Sequence, residues 1–135
     1  MLNPLEQKLA DALVSDEYKD RQAQRQLRDG DKFCCLGVLC NISGLGRWLT
    51  GDFDSNTFQT DNEDERGLDN EESVLPMKVQ HAIGWHTSDA MLTFRDRDGF
   101  WPTLADMNDQ GLTFPQIADL IRAGLVRRQD EKLEG

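Results

Sequence analysis

Basic side chains, histidines, cysteines and long apolar runs are all scarce in this 135-residue chain. No stretch approaches the roughly 20 apolar residues that a membrane-spanning helix needs. The opening Met1-Leu-Asn-Pro-Leu-Glu lacks the basic and then apolar regions of a signal peptide. The protein is therefore expected in the cytosol where it is made. Lysine and arginine number 15 against 25 acidic residues, a net charge of −10. That balance repels nucleic acid and lipid headgroups and attracts basic proteins. Ile117-Ala-Asp-Leu-Ile resembles the opening helix of a helix-turn-helix. After Leu125 only ten residues remain, and they include Asp130, Glu131 and Glu134. No recognition helix fits there, so direct DNA binding is not expected.

Only three cysteines are present, Cys34, Cys35 and Cys40, all within seven residues. A secreted disulfide framework uses an even, dispersed set. Zinc would need His81 and His86 as further ligands, but a Cys-Cys-x4-Cys run is not a zinc knuckle. On a helix Cys35 and Cys40 would point about 140° apart. Buried free thiols, behaving as small hydrophobes, are the expectation, with no metal and no cofactor. Catalytic sets are missing too. His81 and His86 bracket a helix end, and nothing in the sequence brings Cys35 to His86. Asp106, Asn108 and Asp109 lack the glutamate that closes a calcium loop. No glycine loop cradles phosphate. The chain is read as non-enzymatic, with a cysteine- or metal-dependent enzyme as a distant alternative.

What is present is concentrated charge. Residues 52–72 hold nine acidic side chains and one basic one, Arg66, and so account for about −8 of the −10. Such a run is either a solvated loop or a surface for a basic partner. Asp61, Glu63, Asp64, Glu65, Glu71 and Glu72 are the candidate partner-binding residues. A second candidate surface would take a nucleotide: Arg95 and Arg97 stand close in sequence to Trp85, His86 and Trp101, and guanidinium groups beside aromatics suit a ligand that stacks and pairs. The competing reading makes those tryptophans core anchors and pairs the arginines with Asp96 and Asp98.

The elements follow from periodicity and caps. Asn3 caps a helix opened by Pro4, with Leu5, Leu9, Ala12 and Leu13 on one face. Residues 17–28 are ambiguous. The uncharged run from Phe33 to Ile42 predicts a buried helix over 35–43, ended by Ser43-Gly44. Gly37 inside it costs a helix about 1 kcal/mol against alanine, which suggests that another element crosses closely there. One or two short strands are expected between Trp48 and Phe58. Pro76 opens a helix that stops at Gly84. Residues 91–101 carry a hairpin signal around Asp98-Gly99. A short helix follows from Thr103, and Thr113-Phe-Pro-Gln116 is a capping box for a last helix. The fold class is α+β, with three or four helices packed on a small antiparallel sheet built around the 91–101 hairpin. Residues 1–128 form a single domain with an acidic loop around 52–73, and 129–135 form a frayed polar tail.

Several separated words then occur in a set order: Ala12-Leu-Val-Ser-Asp-Glu-Tyr-Lys, Lys32-Phe-Cys-Cys-Leu-Gly-Val-Leu-Cys, Leu75-Pro, Leu104-Ala-Asp-Met-Asn-Asp-Gln-Gly and Thr113-Phe-Pro-Gln-Ile-Ala-Asp-Leu-Ile. In these the chain resembles a family of small proteins from tailed bacteriophages and prophages. Two departures stand out. The family usually has glycines and a glutamine after the Tyr18 position, where this chain reads Asp20-Arg-Gln-Ala-Gln, and it often has tryptophan before the glycine matching Gly84. The resemblance implies a setting in an infected host cell more than a chemistry. Taken with the acidic patch, it leads to an expected function. The chain would be a phage accessory protein that binds and inhibits a defence-related host protein with a basic surface, by imitating phosphate charge. The alternative is a sponge that sequesters a nucleotide signal.

Overall fold

The computed structural model describes residues 2–49, 57–62, 67–71 and 73–129. Helix α1 spans Pro4–Leu13. Its start is a full capping box. Asn3 Oδ1 accepts from Glu6 N at 2.8 Å, and Glu6 Oε1 accepts from Asn3 N at 3.0 Å. Two donors left free by the first helical turn are thereby satisfied. Leu9, Ala10 and Leu13 bury one face of the helix.

The ambiguous segment after α1 is not a helix. It winds through turns, and Gln22 makes a single bridge to Phe33 before strands β1 (Arg28–Asp29) and β2 (Lys32–Phe33) pair antiparallel. Asp20 (φ 64°) and Arg25 (φ 72°) take left-handed backbone conformations. Glycine adopts these without the Cβ clash.

Helix α2, Cys35–Ser43, is the uncharged run. Cys34 is its N-cap, with Sγ accepting from Gly37 N at 3.4 Å. Residues Cys35 to Cys40 are all buried, as expected for an apolar segment with no charge to solvate. The close crossing inferred at Gly37 is present. A Cβ built there would lie 1.7 Å from the Leu27 carbonyl oxygen. The carbonyl of Leu27 also accepts from Cys34 N at 3.2 Å, so the backbone before β1 lies directly on the first turn of α2.

Strands β3 (Gly46–Trp48), β4 (Phe58–Asn62) and β5 (Gly67–Glu71) form an antiparallel sheet in that order. The register pairs Trp48 with Phe58 and Phe58 with Glu71. The acidic loop expected around 52–73 is thus in part a ladder. An alternating pattern shows a strand only where one face is apolar. Here the buried base, Phe58, does the anchoring.

Helix α3 spans Met77–Ile83, with Pro76 at its cap rather than inside it. The hairpin expected over 91–101 is corrected. Met91 bridges Thr103 and Leu92 N donates to Pro102 O at 2.8 Å across the turn, but these are isolated contacts and not a pair of strands, and Leu92 also bridges Val126. Residues 96–100 close a tight turn, in which Asp96 N donates to Phe100 O at 2.8 Å. Asp96 Oδ1 accepts from Asp98 N at 2.9 Å and from Phe100 N at 3.0 Å. With a side chain supplying the acceptor, that closure needs no strand ladder behind it. Helices α4 (Leu104–Asp109) and α5 (Phe114–Arg122) complete the set, and Thr113 with Gln116 makes the predicted capping box. Gln129 N donates to Gly84 O at 2.9 Å, which ties that residue to the domain; residues 130–135 of the predicted tail lie outside those described.

The fold is α+β, with five helices among the described residues around one core. Helix α1 packs on α5 and α2, α2 packs on α4, and the sheet meets the helices through β3 on α2 and β4 on α3. Leu36, Leu39, Val79, Ile83, Leu92, Leu104, Ile117 and Ile121 fill the centre. No helix among the described residues is long and apolar enough to cross a membrane.

Candidate functional site

The acidic segment is mounted on an aromatic base. Phe58 lies 4.9 Å from Trp48, ring centre to ring centre, in an edge-on contact, and Trp48 lies 5.8 Å from Phe33. Tyr18 closes the row at 5.7 Å from Phe33. Such contacts add about 0.5–1.5 kcal/mol each to the burial of the rings. Arg28 lies over both Phe33 and Trp48, at 5.6 and 5.4 Å. Arg47 donates to Gln59 Oε1 across β3 and β4 at 3.0 Å. Of the six candidate acids, Asp61 stands on β4 and Glu71 on β5, a half-buried position opposite Phe58. Glu63, Asp64, Glu65 and Glu72 lie outside the described residues.

The proposed nucleotide surface is only partly assembled. Arg95 lies 4.9 Å above the Trp101 ring, and Arg127 lies 4.6 Å from the same ring. Sequence reading missed Arg127, because nothing local connects it to residue 101. Trp85 does not belong to this surface. It is 0% exposed, and its Nε1 donates to Glu6 Oε2 at 3.1 Å. A ring with no accessible face cannot stack on a ligand, so the core-anchor reading holds for Trp85. His86 is half-buried and donates its backbone N–H to Arg127 O at 2.8 Å. Arg97 is exposed on the turn closed by Asp96.

The three thiols are free and buried. Burial pushes Cys34 up to about 11, from an ordinary 9.0. Burial likewise holds Cys35 and Cys40 well above that ordinary value. Such thiols are poor nucleophiles near neutral pH, because the thiolate is the reactive form.

Two buried polar centres were not foreseen. Glu6, 1% exposed, accepts from Asn3 N and Trp85 Nε1 and forms an ion pair with Arg128 at 2.8 Å. Asn3 Nδ2 also reaches Ile83 O at 2.8 Å. The start of α1 is thereby fastened to the end of α3 and to the last described residues. Asn108 is fully buried in α4. Its Oδ1 accepts from Gln22 Nε2 at 2.9 Å and from Cys35 N at 3.2 Å, and its Nδ2 donates to Ala23 O at 2.7 Å. Three chain segments meet on one amide. Every contact of both centres is satisfied within the fold, which marks them as structural.

An open cleft of about 560 Å³ lies between the end of α1 and the start of α5. Leu13, Val14, Phe114 and Pro115 supply its apolar lining, and Asp16, Lys19 and Asp20 its charges. The size suits a small ligand or an inserted side chain.

No curated protein and no solved structure matches the chain. Residues 1–125 match the family described as a domain of unknown function (DUF8296), and the chain belongs to that family.

Proposed function

We propose that this protein acts by binding: a phage accessory protein, working in the host cytoplasm, that blocks a host protein with a basic surface. The contact face is the acidic segment carrying Asp61, Glu63, Asp64, Glu65, Glu71 and Glu72. One observation carries the reading. The chain's charge is concentrated in residues 52–72, and the described part of that stretch is a paired ladder seated on Phe58 and Trp48. A ladder holds its positions before a partner arrives, so less conformational entropy is lost on binding than from a free loop. Like charges gathered on such a frame repel one another, and a basic partner relieves that repulsion.

The test compares the parent with a variant in which the six acids become Asn, Gln or Ser. The parent should capture a host protein from lysate at low salt and release it as salt rises, since exposed charges are screened over about 8–10 Å at physiological ionic strength. The variant should keep its fold and lose that protein. Equal capture by both would end the proposal.

A second reading is favoured by Arg95, which is exposed and lies 4.9 Å from the Trp101 ring, whereas Arg127 at that ring is only 4% exposed. Arg95 would place positive charge beside an aromatic face for a nucleotide signal. A nucleotide that raises the melting temperature of the parent, and not of an Arg95→Ala variant, would support it.

A further inference from the structure

We propose that the outer edge of β5 takes up an extended, basic segment of the host partner as a further strand of the β3–β4–β5 sheet. The inference rests on the acidic contact face proposed above and says how the partner's backbone engages it. Strand β5 stands at the end of the sheet order, and among the described residues no strand lies on its other side. Along a strand, backbone N–H and C=O groups alternate between the two edges, so β4 can satisfy only about half of those of β5. Such an edge is a template for another strand, and proteins blunt it with lysine, proline or a bulge. Strand β5 reads Gly67-Leu-Asp-Asn-Glu71 and has neither lysine nor proline. Its residues pair one-to-one with Asn62 to Phe58 in unbroken register, so there is no bulge either. The edge is also held in place from behind, because Phe58, Gln59 and Thr60 of β4 are all buried.

Charge decides which strand can join. Side chains alternate between faces with a period of two, so Asp69 and Glu71 share one face of β5, at the register positions of Thr60 and Phe58. The strand carries two carboxylates and no base, within a stretch of nine acids and one arginine over residues 52–72. A second copy of β5 would set like charges opposite one another, which is unfavourable between adjacent strands. The other edge of the sheet, β3, does not complement it. It is three residues long, and its one charged residue, Arg47, already donates to Gln59 Oε1 at 3.0 Å. A segment with lysine or arginine at every second position meets both demands at once. Its backbone extends the ladder, and its cations stand opposite Asp69 and Glu71. Affinity from main-chain hydrogen bonds, with selectivity from alternate side chains, is the general pattern of strand addition. A helix or a folded basic surface could meet the charge, but neither offers a row of N–H and C=O groups to the edge.

The experiment uses the full chain and three end-capped, fluorescent hexapeptides: alternating Lys-Thr, the same sequence with every amide N-methylated, and alternating Glu-Thr. Binding is followed by anisotropy, and the peptide backbone by the infrared band of isotope-labelled carbonyls. The Lys-Thr peptide should bind, and its labelled band should move to the position of sheet-paired carbonyls. N-methylation keeps every charge and removes the donors, so it should weaken binding at least about tenfold. The Glu-Thr peptide should not bind. Asp69→Lys should weaken the Lys-Thr peptide about tenfold, by setting a like charge opposite it. The peptide comparisons use the parent alone, so they decide even where that variant melts early. Equal binding of the N-methylated peptide overturns strand addition and leaves the acidic contact face standing, since that face is judged separately by capture of a host protein. A Lys-Thr peptide that does not bind, or whose labelled band does not move on binding, overturns it as well. Mass above 15.4 kDa for the parent alone, abolished by Asp69→Lys, would give the edge to a second copy and overturn it too.

Discussion

Replacing Gly37 with alanine adds one methyl group to the most tightly crossed point of the fold. On an open helix this change stabilises by about 1 kcal/mol, since glycine is the poorer helix former. Here the sign should reverse. The new Cβ would lie 1.7 Å from the Leu27 carbonyl oxygen, 2.7 Å from its carbonyl carbon and 3.2 Å from its Cα. All three atoms are backbone, so no rotamer change relieves the clash. The Leu27 segment would have to retreat from α2 by about 1.5 Å to restore ordinary van der Waals contact. Leu27 is itself fully buried, and its carbonyl accepts from Cys34 N at 3.2 Å. The retreat therefore loosens a core side chain and breaks a hydrogen bond at the start of α2. Overpacking costs about 1–3 kcal/mol and the lost bond about 1 kcal/mol. Set against the helix gain, the net destabilisation should be about 1–3 kcal/mol, a fall in Tm on the order of 5–10 °C for a domain of this size. Thermal melts followed by circular dichroism measure it directly. A variant as stable as the parent, or more so, would show that the Leu27 backbone before β1 does not lie on α2, and the arrangement of the core would fall with it.

Three further outcomes are expected. Glu6→Ala should cost about 3 kcal/mol, measured by urea unfolding, because it leaves the buried Trp85 indole N–H without its acceptor and removes the partner of Arg128; the partly exposed Arg128 keeps some solvation, which holds the cost below that of a fully buried pair. Asn108→Ala should cost a similar amount by stranding Cys35 N and Ala23 O, and should expose residues 19–31 to limited proteolysis before the rest of the domain. The thiols set an alkaline limit. Their folded pKa values lie above the ordinary 9.0, so the stability they contribute is complete below pH 9 and is lost as pH rises through about 11 for Cys34. A Cys34→Ala variant should flatten that alkaline decline, and native protein at pH 8 should modify its thiols no faster than it opens.

The parts of this fold that could be read from the sequence are those whose physics is local. Asn3, Thr113 and Gly84 bound helices because a cap satisfies backbone groups within four residues of itself. Gly37 was informative for the same reason. A helix that tolerates its cost must be repaid by something nearby, and that something is the Leu27 backbone. The sheet was misplaced because both errors were non-local. Residues 91–92 find their partners at 103 and 126, and Phe58 finds its support on Trp48 across an intervening segment. Glu6 is an acid in the first turn of α1. Its contacts to residues 85 and 128 make it a buried anchor, and no spacing rule reports a contact across that separation. The candidate surfaces divide along the same line. Charge concentration at 52–72 is visible in any reading of the composition. The orientation of an aromatic ring is not: Phe100 and Trp101 are neighbours that look alike as core anchors. One is held outward by the Asp96 turn, and the other is turned onto Arg95 and Arg127. A turn closed by a single carboxylate thus decides which of two adjacent aromatics is available to a partner.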